Sequence, residues 1–186
     1  MELSAVILAG GKSSRMGQDK ALLPFRGYSS MAEFQYERLK KIFNSVYIST
    51  KEDKFNFKAD LIYDRYEESS PLVAIVSIFE ELKCDAFFLL SVDMPFVSEY
   101  DIKKLIDSYK KERAFEIYCL KSSNGCEPTA TIYTKAILNS AKEMLKENNH
   151  KLKSLIESSN YKAVKSYSYK NFININTKDE YFSYFV

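Results

Sequence analysis

The chain has 186 residues, 46% of them hydrophobic and 28% charged, with a net charge of +2 at pH 7. That length suits one α/β domain, and the apolar content with nearly balanced charge excludes a disordered chain. So small a net charge makes no case for nucleic acid as a partner, and no apolar run approaches a membrane span, so a soluble, cytoplasmic protein with no membrane partner is expected.

In chain order, short apolar runs alternate with helical patterns. Residues 3–8 read as a buried strand closed by Gly10 and Gly11. Residues 31–42 carry helical spacing (Phe34, Leu39, Ile42) behind the capping candidates Ser29 and Ser30. Strands are expected at 46–49 and 61–63, and an apolar helix at 73–82 just after Pro71. The continuous apolar run 87–92 implies a strand buried on both faces. Ser98, with Asp101 three residues later, reads as the cap of the next helix. Strands at 115–120 and 129–133, helices at 134–146 and 151–158, strands at 164–169 and 172–175, and a last helix at 177–185 complete the pattern. Alternating β and α units predict a mostly parallel sheet with helices on both faces, in one domain over 1–186.

Fourteen Tyr and thirteen Phe, with no Trp, read as core filling rather than as platforms for stacking bases. Cys84, Cys119 and Cys126 are an odd set without a CxxC pair and read as reduced thiols lacking metal-ligand spacing. His150 is the one histidine; between two expected helices, it reads as a surface residue, which leaves no basis for Ser-His or Cys-His catalysis.

The loop leaving the first strand, Leu8-Ala9-Gly10-Gly11-Lys12-Ser13-Ser14-Arg15-Met16-Gly17-Gln18-Asp19-Lys20, is the informative segment. Glycines let backbone N–H groups approach a phosphate closely, and Arg15 and Lys20 can neutralise a triphosphate. A plain basic surface loop is the alternative, and the glycines following an apolar strand argue against it. The Walker pattern needs a glycine where Val6 stands, and the dinucleotide pattern GxGxxG also fails on spacing. A second site lies at Ser91-Val92-Asp93-Met94-Pro95-Phe96, where a carboxylate follows a buried strand and is placed to hold a divalent cation against phosphate oxygens. Asp64, after the 61–63 strand, is a weaker candidate of the same kind, since an acid there also suits an ordinary turn.

Together these residues resemble the molybdenum-cofactor guanylyltransferases, which join GMP from GTP to the phosphate of molybdopterin. The family's opening motif has the form LAGGxSxRMGxDKxLL, matched here from Leu8 to Leu23. Asp64, the Asp93-Met94-Pro95-Phe96 segment, the run from Glu127-Pro128 to Tyr133, and Phe172-Ile173-Asn174-Ile175-Asn176-Thr177 fall in family order, so the likeness covers nearly the whole chain. The resemblance implies a three-layer, Rossmann-like fold of the nucleotide-diphospho-sugar transferase type. It implies GTP contacts from Leu8, Ala9, Gly10, Gly11, Lys20, Asp64 and Asp93, with Mg2+ on Asp93. Arg15, Lys20 and Asp93 would be the catalytic groups, and molybdopterin would lie near 124–131 and 174–176. A transient encounter with molybdoenzymes or other cofactor-assembly proteins is implied in the same way. Two departures fall near the expected base pocket: the family's GPLAG turn is Ser70-Pro71-Leu72-Val73-Ala74 here, and Ser49 stands where an Asn can occur.

The reaction expected from these groups is attack of a phosphate on the α-phosphorus of GTP, with pyrophosphate leaving. A phosphate needs no general base, so catalysis rests on positioning and charge stabilisation. A cytidylyl- or sugar-nucleotidyltransferase would keep the same phosphate machinery. A non-catalytic GTP-binding regulator could dispense with Lys20 and Asp93.

Overall fold

The computed structural model describes residues 3–10, 17–66, 68–166 and 168–184. Seven strands form one sheet: β1 (Ser4–Leu8), β2 (Val46–Thr50), β3 (Asp60–Tyr63), β4 (Ala86–Ser91), β5 (Ile117–Ser122), β6 (Gly125–Thr134) and β7 (Tyr161–Lys165), in the order β3-β2-β1-β4-β6-β5-β7. The pairs β3–β2, β2–β1, β1–β4 and β5–β7 are parallel, whereas β6 runs antiparallel to both β4 and β5. The helices are α1 (Met31–Leu39), α2 (Pro71–Leu82), α3 (Glu99–Lys111), α4 (Leu138–Lys146), α5 (Leu152–Ser158) and α6 (Lys178–Tyr184).

The central strands are apolar along their length because both faces are covered. Ile7, Phe88 and Leu90 join Leu39, Ile102, Leu105 and Tyr181 of α1, α3 and α6 on one face. Val6, Leu8, Phe87 and Leu89 join Leu72, Ile75, Ala141 and Leu155 of α2, α4 and α5 on the other. The result is the expected three-layer arrangement. No helix among the described residues is long and apolar enough to cross a membrane.

Local chemistry sets the helix starts. Ser30 and Ser70 sit in extended backbone and accept from the amides of Glu33 and Val73, and Pro71 supplies a first helical position that needs no N–H. Ser98 accepts from the Asp101 amide at 3.1 Å. The Asp101 carboxylate, 1% exposed, in turn accepts from the Ser98 and Ser166 hydroxyls and the Asn171 amide, which binds the C-terminal segment to α3.

Several boundaries differ from expectation. The 134–146 helix opens as a 3₁₀ turn at Lys135–Ile137, and the 164–169 strand is instead Tyr161–Lys165, an edge strand whose alternating outer face is exposed. No strand forms at 172–175. There a 3₁₀ turn, Tyr169–Phe172, passes into extended chain whose Ile175 amide donates to the Asp93 carbonyl, so this segment is drawn across the sheet's end rather than into a ladder. The expectation of three reduced thiols also fails, because Cys119 and Cys126 form a disulfide and only Cys84 is free. The β5–β6 hairpin brings the pair together, with Cα atoms 5.7 Å apart.

Candidate active site

The parallel strands all discharge at one edge of the sheet. β1 ends into Ala9 and Gly10, β3 immediately before Asp64, and β4 two residues before Asp93. Successive crossovers place β2 on one side of β1 and β4 on the other, so the winding reverses at β1. An open α/β sheet binds ligands in the crevice at such a reversal. Bonds from Ala9 N to Ser49 O (3.0 Å), Asp64 N to Thr50 O (3.1 Å) and Val92 N to Leu8 O (3.0 Å) carry the ladder to the crevice floor.

At one end of the crevice, cation and carboxylate meet. Lys20 opens a 3₁₀ turn, Lys20–Leu22, whose cap Asp19 accepts from the Ala21 amide at 3.0 Å. The Lys20 ammonium donates to Asp93 Oδ2 at 2.8 Å and to Asn176 Oδ1 at 2.9 Å. Asp93 Oδ1 accepts from the Ser91 hydroxyl at 2.6 Å. Asn176 is placed by a capping box on α6, in which the Glu180 carboxylate accepts from the Asn176 and Thr177 amides while Thr177 Oγ1 accepts from the Glu180 amide. The Asn176 amide, foremost, holds the Glu180 carboxyl below the usual carboxylate range.

At the other end, Leu8, Gly10, Ser49, Asp64, Pro71 and Ala74 line a cavity of about 90 Å³. The Ser49 hydroxyl, 1% exposed, donates to Asp64 Oδ1 at 3.2 Å. Burial raises the Asp64 pKa above the ordinary carboxylate value, and the Ser49 bond and the charge of Lys51 offset part of that rise. A Cβ added to Gly10 would come 3.8 Å from Asp64 Oδ2, so glycine leaves this side of the floor open. A neighbouring cavity of about 180 Å³ shares Gly10 and Ser69 and adds Asp19, Thr50, Lys51 and Lys54. His150, expected at the surface, is half-buried, with Nδ1 2.9 Å from the hydroxyl of Ser70, the α2 cap beside this cavity.

The structure thus gathers Leu8, Ala9, Gly10 and Asp64 at one end and Lys20 and Asp93 at the other, whereas Gly11 and Arg15 lie outside the described residues. Asn176 was foreseen only as part of an acceptor region. Lys54 was missed. Its ammonium donates to the Ala9 carbonyl at 3.0 Å and pairs with the Asp19 carboxylate, which ties the β2–β3 loop to both ends of the glycine segment. Nothing in the charged run from Lys51 to Lys54 distinguishes that lysine locally.

Among the described residues, no three His, Cys, Asp or Glu side chains converge to cage a metal. A lone, partly exposed carboxylate still fits Mg2+, which commonly takes one or two protein oxygens and completes its octahedron from phosphates and water.

The MobA-like NTP transferase domain family matches residues 5–164. Proteins called molybdenum cofactor guanylyltransferase from Campylobacter jejuni and Helicobacter pylori are 37% and 32% identical to the chain over 182 and 185 residues. Those alignments cover 97% and 96% of this chain, and 94% and 90% of the relatives. The crystal structure of molybdopterin-guanine dinucleotide biosynthesis protein A from Archaeoglobus fulgidus superposes with a TM-score of 0.84 at 17% identity, covering 98% of this chain and 97% of that one, which shows a shared fold. With Ala9, Gly10, Lys20 and Asp93 set at the crevice of that fold and the match running through most of the sheet, the chain belongs to the MobA-like NTP transferase family.

Proposed function

We propose that the chain transfers GMP from GTP to molybdopterin, releasing pyrophosphate and forming molybdopterin guanine dinucleotide. The carrying observation is the meeting of Lys20, Asp93 and Asn176 at one end of a crevice whose other end is lined by Leu8, Gly10, Ser49 and Asp64. A triphosphate laid along it places its base toward Asp64 and its charge toward Lys20. The full-length relatives named for this reaction support the same reading.

In this reading a terminal phosphate oxygen of molybdopterin forms a bond to the α-phosphorus. The bond from that phosphorus to the α–β bridging oxygen breaks, and pyrophosphate leaves with the electron pair. Lys20 stabilises the charge that grows on the leaving group, the Gly10–Gly11 amides and Arg15 hold the phosphates, and Asn176 keeps the Lys20 ammonium aimed. Asp93 is the group that would hold Mg2+, whose chemistry when bound is neutralisation of the triphosphate charge. No side chain is required to take a proton from a nucleophile that is already an anion. The middle of β6 lies against the Asp93 loop, with Thr129 Oγ1 3.3 Å from Met94 Sδ, and supports an acceptor site between this strand and Asn176.

The test is pyrophosphate release with GTP, molybdopterin and Mg2+, together with detection of the dinucleotide product by mass. Turnover that depends on both substrates is expected. GTP hydrolysis without dinucleotide, or no turnover at all, would overturn the assignment.

A further inference from the structure

Between the end of β4 and the Ser98 cap of α3, residues 92–97 have no strand or helix of their own to satisfy their carbonyls. Val92, Met94, Pro95 and Val97 are buried there, so unpaired carbonyls would be costly. Two side chains of α1 supply the donors. The Gln35 amide donates to the carbonyls of Ser91 (3.3 Å) and Met94 (3.1 Å). The Arg38 guanidinium donates to the carbonyls of Pro95 (3.1 Å) and Val97 (2.6 Å), and to Gln35 Oε1 at 2.7 Å. Four carbonyls flanking Asp93 on both sides are therefore held by one joined pair of side chains.

The same helix is anchored to the other half of the site. Its first amide, Met31 N, donates to the Leu23 carbonyl at 2.7 Å, directly after the turn that carries Lys20. Helix α1 thus runs from the Lys20 turn to the Asp93 loop and fixes the distance between them. Gln35 is fully buried at a helix position shared with Met31 and Leu39, where an apolar residue would ordinarily stand. Burial lowers the Arg38 pKa to about 10, Glu99 opposing and Arg26 adding to that shift, so its guanidinium remains charged at neutral pH.

We infer that Gln35 and Arg38 are positioning residues for the Asp93 loop, setting its carboxylate for a divalent cation and at a fixed distance from Lys20. This rests on the reading of Asp93 as the metal-holding group. A carboxylate must stand within about 0.5 Å of its productive place to serve a metal–phosphate site. A planar, forked donor can span Pro95, Val97 and Gln35 together, whereas an ammonium on a flexible stem cannot reproduce that geometry.

The experiment compares Arg38→Lys and Gln35→Met with wild type and with Leu155→Ala, a control destabilised in the core on the opposite face of the sheet. GTP affinity is measured by calorimetry in EDTA and in Mg2+, alongside kcat and Tm. In wild type, Mg2+ should tighten GTP binding. In both α1 variants that gain should shrink by about fivefold or more and kcat should fall by about tenfold, with the EDTA affinity within about twofold of wild type. Leu155→Ala should lose thermal stability and keep the gain. If a soluble, folded Arg38→Lys or Gln35→Met keeps both the Mg2+ gain and kcat, the inference is overturned and their role is structural only. If Asp93→Ala also keeps the Mg2+ gain, the underlying reading of Asp93 is what has failed. Should one variant not fold, the other decides, since each removes donors from a different pair of carbonyls.

Discussion

Lys20 and Asp93, 73 positions apart in the chain, are joined by an ion pair of 2.8 Å at the carboxyl ends of β1 and β4. Each is 20% exposed or less, so the pair is only thinly screened by solvent. On the proposed reading, Lys20 would turn to phosphate oxygens of a bound triphosphate, and Asp93 would be free to hold its cation. The ion pair holds both side chains in place at the mouth of the crevice.

Lys20→Ala should therefore lower kcat/KM for GTP on the order of 10², through lost stabilisation of the leaving pyrophosphate. Lys20→Arg should restore part of this, because its planar fork delivers the charge from a different position. Steady-state pyrophosphate release measures both. Unimpaired turnover in Lys20→Ala would show that the ion pair is a structural link and that the loop has been misread.

Asp93→Ala should abolish Mg2+-dependent turnover, since the metal loses its protein oxygen while phosphate repulsion remains. The fold should persist, because the Asp93 side chain stands at a strand's mouth and fills no core space. Circular dichroism and a melting curve test the second point, and pyrophosphate release over a range of Mg2+ tests the first. Activity within a few-fold of wild type would refute the metal assignment.

How much of this was legible depends on the range over which each signal acts. β1 and β4 could be read because both their faces are covered, which leaves an unbroken apolar run with a glycine or a carboxylate at its mouth. The caps Ser30 and Ser98 were legible because a cap's signal lies within a few residues of the helix it starts. Gln35, Arg38 and Lys54 were not, because their partners are carbonyls and a carboxylate far away in sequence, and a polar residue on a helix or in a charged loop looks solvated. Residues 172–175 have strand composition yet make no ladder, because bonds to Asp93 and Lys20 hold that segment across the crevice. The disulfide was hidden likewise, since seven residues of separation say nothing until a hairpin closes.

The raised pKa of Asp64 gives a pH dependence of definite sign. Burial disfavours its ionised form, so in the free protein this carboxylate costs stability above its folded pKa, and the cost disappears as pH falls below the unfolded value. A nucleotide that donates hydrogen bonds to Asp64 binds the ionised form. GTP affinity should accordingly weaken as pH falls through the raised pKa, while the free protein loses nothing at this residue. Calorimetric titration of wild type and Asp64→Asn from neutral pH down into the acid range separates this from the nucleotide's own titration. An identical pH profile in the two proteins would remove Asp64 from the nucleotide site.

The same carboxylate leads to a preference among bases. Guanine presents two adjacent donors, N1–H and N2–H₂, which a carboxylate accepts side by side, and its O6 acceptor can be met by a backbone amide near the α2 cap. Cytosine and adenine each place a ring acceptor beside their single amino donor, so either would set that acceptor against Asp64. The departures at this end of the crevice leave the match in place. Ser49 is occupied with Asp64 Oδ1, and Ala74 adds one methyl to the wall without removing any backbone group. A buried polar group left unpaired costs about 1–3 kcal/mol, and roughly 1.4 kcal/mol is tenfold in rate. GTP should therefore exceed both CTP and ATP in kcat/KM by about 10² or more, with molybdopterin as the acceptor, and Asp64→Asn should compress that ratio more than it lowers the maximal rate. CTP used as well as GTP would place the chain with cytidylyl transfer while leaving the proposed roles of Lys20 and Asp93 untouched, because on that reading those groups would face phosphates common to every nucleotide.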